Sequence, residues 1–244
     1  DAAGGAILSV LFAPGQRPDA DALDALAAAS LAGDARLPIP FSLTARGADD
    51  EGWAELLAMG LVFDCLELSP RRATRHANPG QPLGFAAAPD GELIMLQPGP
   101  HLIDGAGLLP VVRVLAGLGL ALSTLPGALA VCWGPAGTCM APDYFQRIVG
   151  SWLAGGAFPA LGLTMLNRAP GGAMESRGLA FMTGQELRFE PGPGVSAQQA
   201  GQIAVRLVHL LAEHGPLQAA EDLTGPAGEV LHAAPDGAQL RVWM

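Results

Sequence analysis

The stretch from Phe158 to Pro191 constrains the fold most. Within it, Gln185 to Glu190 alternates, with Leu187 and Phe189 on one face and Glu186, Arg188 and Glu190 on the other. Successive side chains of a strand point to opposite faces, so this pattern is that of a half-buried antiparallel strand. The apolar segment Gly178 to Met182 precedes it across Thr183-Gly184, and short Gly-containing links commonly join antiparallel strands. Three successive strands are expected here, the last two forming a tight hairpin.

Around that stretch, hairpins dominate and helices occur singly. Asp19 is expected to cap a helix through Ala32 that stops at Gly33. Pro38 and Pro40 make Leu37 to Ala45 an edge strand or extended linker. Asp49 or Asp50 opens a short helix through Met59, and Leu61 to Leu68 is a strand. Pro89-Asp90-Gly91 joins Leu83–Ala88 and Glu92–Gln97 as a hairpin. Asp104 caps a long apolar helix ending near Leu120, Ala128 to Trp133 is a strand, and Pro142 opens the next helix. Ser196 and Gln199 form a capping box for a helix running to His214. Its apolar stripe is Ile203, Leu207, Leu210 and Leu211; its polar stripe is Gln202, Arg206, His209 and Glu213. A last hairpin turns at Pro235-Asp236-Gly237. The order favours an α+β class: a mixed, largely antiparallel sheet with single helices packed on it, as one domain over residues 1–244. The Pro-Asp-Gly turn occurs once in each half, which suggests two related α+β halves meeting near residues 100–125.

Composition removes several functions. All 13 basic residues are Arg, so Schiff-base, P-loop and general-base lysines are impossible. Net charge is -10, which repels phosphate backbones and makes nucleic acid and anionic membrane poor partners. The uncharged run Val114 to Val131 is broken by Gly117, Gly119, Pro126 and Gly127, and so reads as helix, turn and strand and not as a membrane span. Three irregularly spaced cysteines, Cys65, Cys132 and Cys139, do not form a secreted disulfide framework, and no signal peptide is evident. A cytoplasmic location with reduced thiols is expected.

The run LPGALAVCWGPAGTCMAPDYF (Leu125 to Phe145), then FPALGLTML, then ESRGLAFMTGQELRFEP, resembles the bacterial domain-of-unknown-function family 4261. That family has an apolar helix leading to an Ala-Val-x-Trp-like strand, a Gly-Leu-x-x-Phe-Gly-x-x-Glu hairpin and a late Asp-Gly-x-Thr-x-Gly segment. Gly178, Leu179, Phe181, Gly184 and Glu186 match the hairpin with spacing shifted by one or two. Glu221-Asp222-Leu223-Thr224-Gly225 matches the late segment without its first Gly. The resemblance covers about the last half of the chain. It implies a fold and brings no activity.

Candidate chemistry is sparse. Cys132 and Cys139 lack metal-ligand spacing, no Gly-x-Ser-x-Gly elbow is present, and neither GPAGT nor RAPGGAM matches a phosphate-binding loop. No metal or cofactor is therefore expected. Arg71, Arg72, Arg75 and His76 form a positive island that either binds an anion or is a solvated surface. Arg177 and Glu186 flank the central hairpin and either belong to cross-strand ion pairs or, with Asp222 and Thr224, floor a ligand pocket. Trp133 caps that pocket or belongs to the core. The function expected first is a non-enzymatic module that binds a protein partner or forms a homodimer. The alternative is a small-molecule sensor or enzyme with a pocket beside the 176–190 hairpin.

Overall fold

Two sheets divide the chain, and single helices cover them. The computed structural model describes residues 6–48, 51–68 and 80–244. Two compact units separate between Gly156 and Ala157, so residues 100–125 lie inside the first. The architecture is α+β.

The first unit is built on β1 (Leu8–Phe12), whose residues are apolar with one exception because both faces are covered. The sheet order is β2-β3-β4-β6-β1-β7-β8-β5. The strands are β2 (Phe41–Arg46), β3 (Trp53–Ala58), β4 (Leu61–Leu66), β5 (Gln81–Leu83), β6 (Glu92–Pro98), β7 (Ala128–Trp133) and β8 (Thr138–Met140). Register puts Leu8 and Val10 beside Leu96, Ile94, Trp133 and Val131 on one face. The opposite face carries Leu11, Leu93, Ala130 and Cys139, packed by Phe85, Ala88, Met95, Leu129 and Cys132.

Helix α1 (Ala20–Leu31) starts where expected, with the Asp19 carboxylate accepting the Ala22 N–H at 2.9 Å. Helix α2 (Leu109–Leu122) is buried nearly all round. Its glycines are packing residues: a Cβ at Gly117 would lie 2.2 Å from Ile39 Cγ1, and one at Gly119 would lie 2.6 Å from Leu8 Cδ1. That close approach explains the uncharged run, and among the described residues no helix is long and apolar enough to cross a membrane. Asp104 does not cap α2. It lies in a 3-10 turn (Pro100–Gly105), and α2 begins later with Pro110 in its first turn. Helix α3 (Pro142–Leu153) buries Phe145, Val149 and Trp152. Arg113 donates to the Trp152 and Leu153 carbonyls at its C-terminus and stacks 4.7 Å over the Trp152 ring.

Two further local expectations fail in this unit. The short helix expected to end at Met59 is β3; its proposed start, Asp49 or Asp50, lies outside the described residues. Ala54, Leu56 and Ala58 are buried in alternation, and the segment pairs with β2 on one side and β4 on the other. Gly60 is no helix stop. Met59 (φ 51) and Gly60 (φ 78) are the central pair of a tight hairpin turn between Ala58 and Leu61, and both take the positive φ that such a turn requires. The hairpin expected at Pro89-Asp90-Gly91 is also absent. β6 pairs with β4 and β1, while β5 runs parallel to β8, because a turn signal marks a change of direction without choosing the partner.

The second unit orders its sheet β12-β13-β14-β11-β10-β9. A single turn α4 (Ala160–Leu163) leads into β9 (Met165–Arg168) and β10 (Met174–Arg177). Then come the turn α5 (Ala180–Thr183), β11 (Glu186–Glu190) and α6 (Ala197–His214). β12 (Glu221–Thr224), β13 (Val230–Asp236) and β14 (Gln239–Trp243) close the chain. β10 and β11 pair as an antiparallel hairpin, but it is not the tight one expected: residues 178–185 link the strands, Thr183-Gly184 ends α5, and Gly178 to Met182 is not a strand. Gly178 (φ 88) turns the chain into α5, and β10 takes the strand position instead. The capping box at α6 is complete, and the terminal hairpin β13–β14 forms, but Pro235 and Asp236 pair with Leu240 and Gln239, so the turn is Gly237-Ala238 and not Pro235-Asp236-Gly237. β14 lies parallel to β11, an adjacency between distant segments that no local pattern announces. The apolar stripe of α6 packs toward β9, β10 and β11 over Leu187 and Phe189.

Candidate functional site

The residues singled out around the hairpin separate into different settings. Glu186 serves its own loop. Its carboxylate accepts the Gly178 N–H at 2.7 Å, the Leu179 N–H at 3.2 Å and the Ser176 hydroxyl. The carboxylate thereby satisfies the backbone donors at the start of the 178–185 link. Arg177 is exposed and has no ion pair among the described residues. The cross-strand pairing belongs to Arg188, which lies opposite Glu175 in register and bonds both Glu175 and Glu190. Arg241 reaches Glu190 at 3.3 Å from the neighbouring strand. The Arg188 hydrogen bond holds the Glu190 carboxyl below its ordinary range, while water screens the network at the surface.

Asp222 and Thr224 sit in separate hollows. Asp222 accepts from or pairs with His232 Nδ1 at 2.7 Å, and the His232 ring lies 5.8 Å from that of Trp243. These residues line a shallow hollow of about 440 Å³. Trp133 is fully buried in β7, on the face of the first unit's sheet that also holds Leu8 and Leu96. It is a core residue there. Arg71, Arg72, Arg75 and His76 lie outside the described residues. Among the described residues no cluster of His, Cys, Asp and Glu is arranged to hold a metal.

Two further concavities flank α6. One, of about 670 Å³, lies between Gly201, Val205 and Arg206 of α6 and Leu166 and Met174 of β9 and β10. The other, of about 370 Å³, is lined by Arg206, His209 and Glu213 on α6 and by Leu223 and Thr224 of β12. Arg206 and Pro226 belong to both. A Cβ added at Gly201 would meet nothing within 4 Å, so that glycine leaves open space along the helix. Register places Arg168 opposite Met174, on the α6 side of the sheet. Neither Arg168 nor Arg206 makes an ion pair among the described residues. Burial pushes the His209 pKa down against the opposing pull of Glu213, and its ring meets Phe158 edge-on at 6.3 Å.

Sequence reasoning made Gln202, Arg206, His209 and Glu213 the polar stripe of the helix and placed no pocket there. The periodicity was sound, but a helix can carry a cleft on its flank as well as a face in the core. Gly201 and Val205, lying between the two stripes, are the signal that could have revealed it. Comparison with protein-family models, with curated proteins and with solved structures finds no match, so the likeness to family 4261 rests on the quoted residues alone.

Proposed function

We propose that the protein is a non-enzymatic interaction module whose second unit receives an extended, acidic segment of a partner protein. The observation that carries this reading is the setting of β9. It is an edge strand beside an apolar groove, flanked by two arginines that make no ion pair among the described residues, in a chain of net charge -10. An edge strand presents unpaired N–H and C=O groups that template the addition of another strand. Alternate side chains of an added strand would enter the groove over Leu166, Met174 and Val205. Arg168 and Arg206 supply forked donors for its carboxylates. A segment of about five residues, some 17 Å long, matches the scale of such a strand. The three unbridged cysteines fit a reducing, cytoplasmic setting.

Fluorescence anisotropy with labelled peptides that alternate apolar and acidic residues tests the proposal. Binding is expected, weakened at least about tenfold by Arg206→Glu and abolished by filling the groove with Gly201→Trp. Equal binding of a basic peptide, or full affinity in both variants, would overturn it. Light scattering run alongside addresses homodimer formation. A dimer that excludes peptide would replace the partner segment with a second copy of the chain.

A further inference from the structure

Cys132 on β7 and Cys139 on β8 lie directly opposite each other in an antiparallel pair, with their sulfurs 3.0 Å apart. We propose that these two thiols are an oxidisable pair, converted to an intramolecular disulfide by hydrogen peroxide. The geometry carries the proposal. Directly opposed residues on paired strands hold their Cβ atoms about 4.5–5.5 Å apart, and a disulfide needs about 3.5–4.5 Å between them and an S–S bond near 2.05 Å. Closing the bond therefore needs side-chain rotation and a small strand adjustment, with no change of partner.

The hairpin is held against shear from both sides. β1 pairs with the outer edge of β7, and β5 pairs with the outer edge of β8. The 134–137 turn closes through the Gly137 N–H to the Gly134 carbonyl at 3.0 Å. The two sulfurs consequently stay together in the reduced protein. Cys139 is buried, while Cys132 is half-buried on the same face as Phe85, Ala88 and Met95, so Cys132 is the more exposed residue of the pair.

The local chemistry favours one thiolate per pair. A remaining thiol donates to the thiolate beside it and eases loss of the first proton, whereas that charge and burial oppose loss of the second. The thiolate attacks one peroxide oxygen, breaks the O–O bond and becomes a sulfenic acid, and the departing hydroxide takes up a proton as water. The second sulfur then attacks the first, forming the S–S bond and releasing the sulfenic oxygen as a second water. Two thiols lose two electrons and two protons in total, and one hydrogen peroxide is reduced. Cys65 provides an internal control: it is fully buried in β4 and its thiol is pushed up to about 12, mainly by burial.

The test uses the full chain treated with hydrogen peroxide, followed by denaturation, thiol counting and peptide mapping. Two of the three thiols are expected to disappear, with the Cys132 and Cys139 peptides joined and dithiothreitol restoring both. Cys65→Ser should leave the bridge intact, and Cys132→Ser should lose it while keeping the parent's circular dichroism spectrum. Persistence of all three thiols, separate oxygenation of Cys132 and Cys139, or disulfide-linked dimers in place of the internal bridge would each overturn the proposal. A Cys132→Ser chain that fails to fold leaves the peptide map of the parent as the deciding measurement.

Discussion

Arg17 offers a quantitative check on how the first unit is held together. Its side chain is completely buried, with Nε 3.1 Å from the Glu92 carboxylate and Nη1 donating to the Glu67 carbonyl. Glu67 adopts φ 63, a left-handed backbone that a glutamate enters only when its surroundings hold it there. Glu92→Gln keeps the shape and one acceptor oxygen but removes the charge. Breaking a buried pair by deleting one partner costs about 3–5 kcal/mol, because the other charge is stranded. Here the Glu92 side chain is 23% exposed and the Glu67 carbonyl remains, so about 2–3 kcal/mol is expected. For a unit of this size that corresponds to a fall in Tm of about 5–10 °C. Thermal melts followed by tryptophan fluorescence read it, since Trp133 and Trp152 are buried in the first unit. The double variant Arg17→Met with Glu92→Gln removes the buried cation together with its counter-charge and should recover much of the loss. A Glu92→Gln protein within about 0.5 kcal/mol of the parent, or a double variant no more stable than the single, would refute the reasoning.

Two glycines on helices should respond oppositely to the same change. Gly119→Ala forces a Cβ against Leu8 and should destabilise by about 1–3 kcal/mol despite the better helix propensity, whereas Gly201→Ala meets open space and should stabilise by up to about 1 kcal/mol; denaturant titration distinguishes them. His209 is held below its ordinary value of 6.5 by burial, so the folded state binds fewer protons there than the unfolded chain. Its contribution to stability should be complete above that value and decline as pH falls through it, with an NMR titration midpoint below 6.5; a midpoint at or above 6.5 would contradict the burial argument.

The parts of the fold that were legible in the sequence are those decided within a few residues. Asp19 and Ser196 mark helix starts because their side chains bond N–H groups two or three positions ahead, and those bonds form in α1 and α6. Alternation of Leu187 and Phe189 with three charged residues was enough to identify β11, and the Pro-Asp-Gly signal was enough for the existence of the β13–β14 hairpin, though its turn lies at Gly237-Ala238. The candidate site was far less legible. Glu186 looked available for a ligand until its carboxylate was found closing the 178–185 link, and Asp222 and Thr224, two residues apart, line different hollows.

What the sequence determined alone was the α+β class, the ends of α1 and α6, the acidity of the chain and the impossibility of lysine chemistry. Tertiary structure decided the rest. Trp53 to Ala58 is a strand because β2 and β4 satisfy its backbone on both sides, and those partners outweigh a spacing that suits a helix. β14 joins β11 in parallel, β6 ignores the turn before it, and the grooves beside α6 appear only where β9, β10 and β12 come to flank that helix. Capping and turn formation are local bonds that a short window contains. Strand pairing and cavity shape depend on segments far apart in the chain, whose adjacency is settled only when the whole core packs.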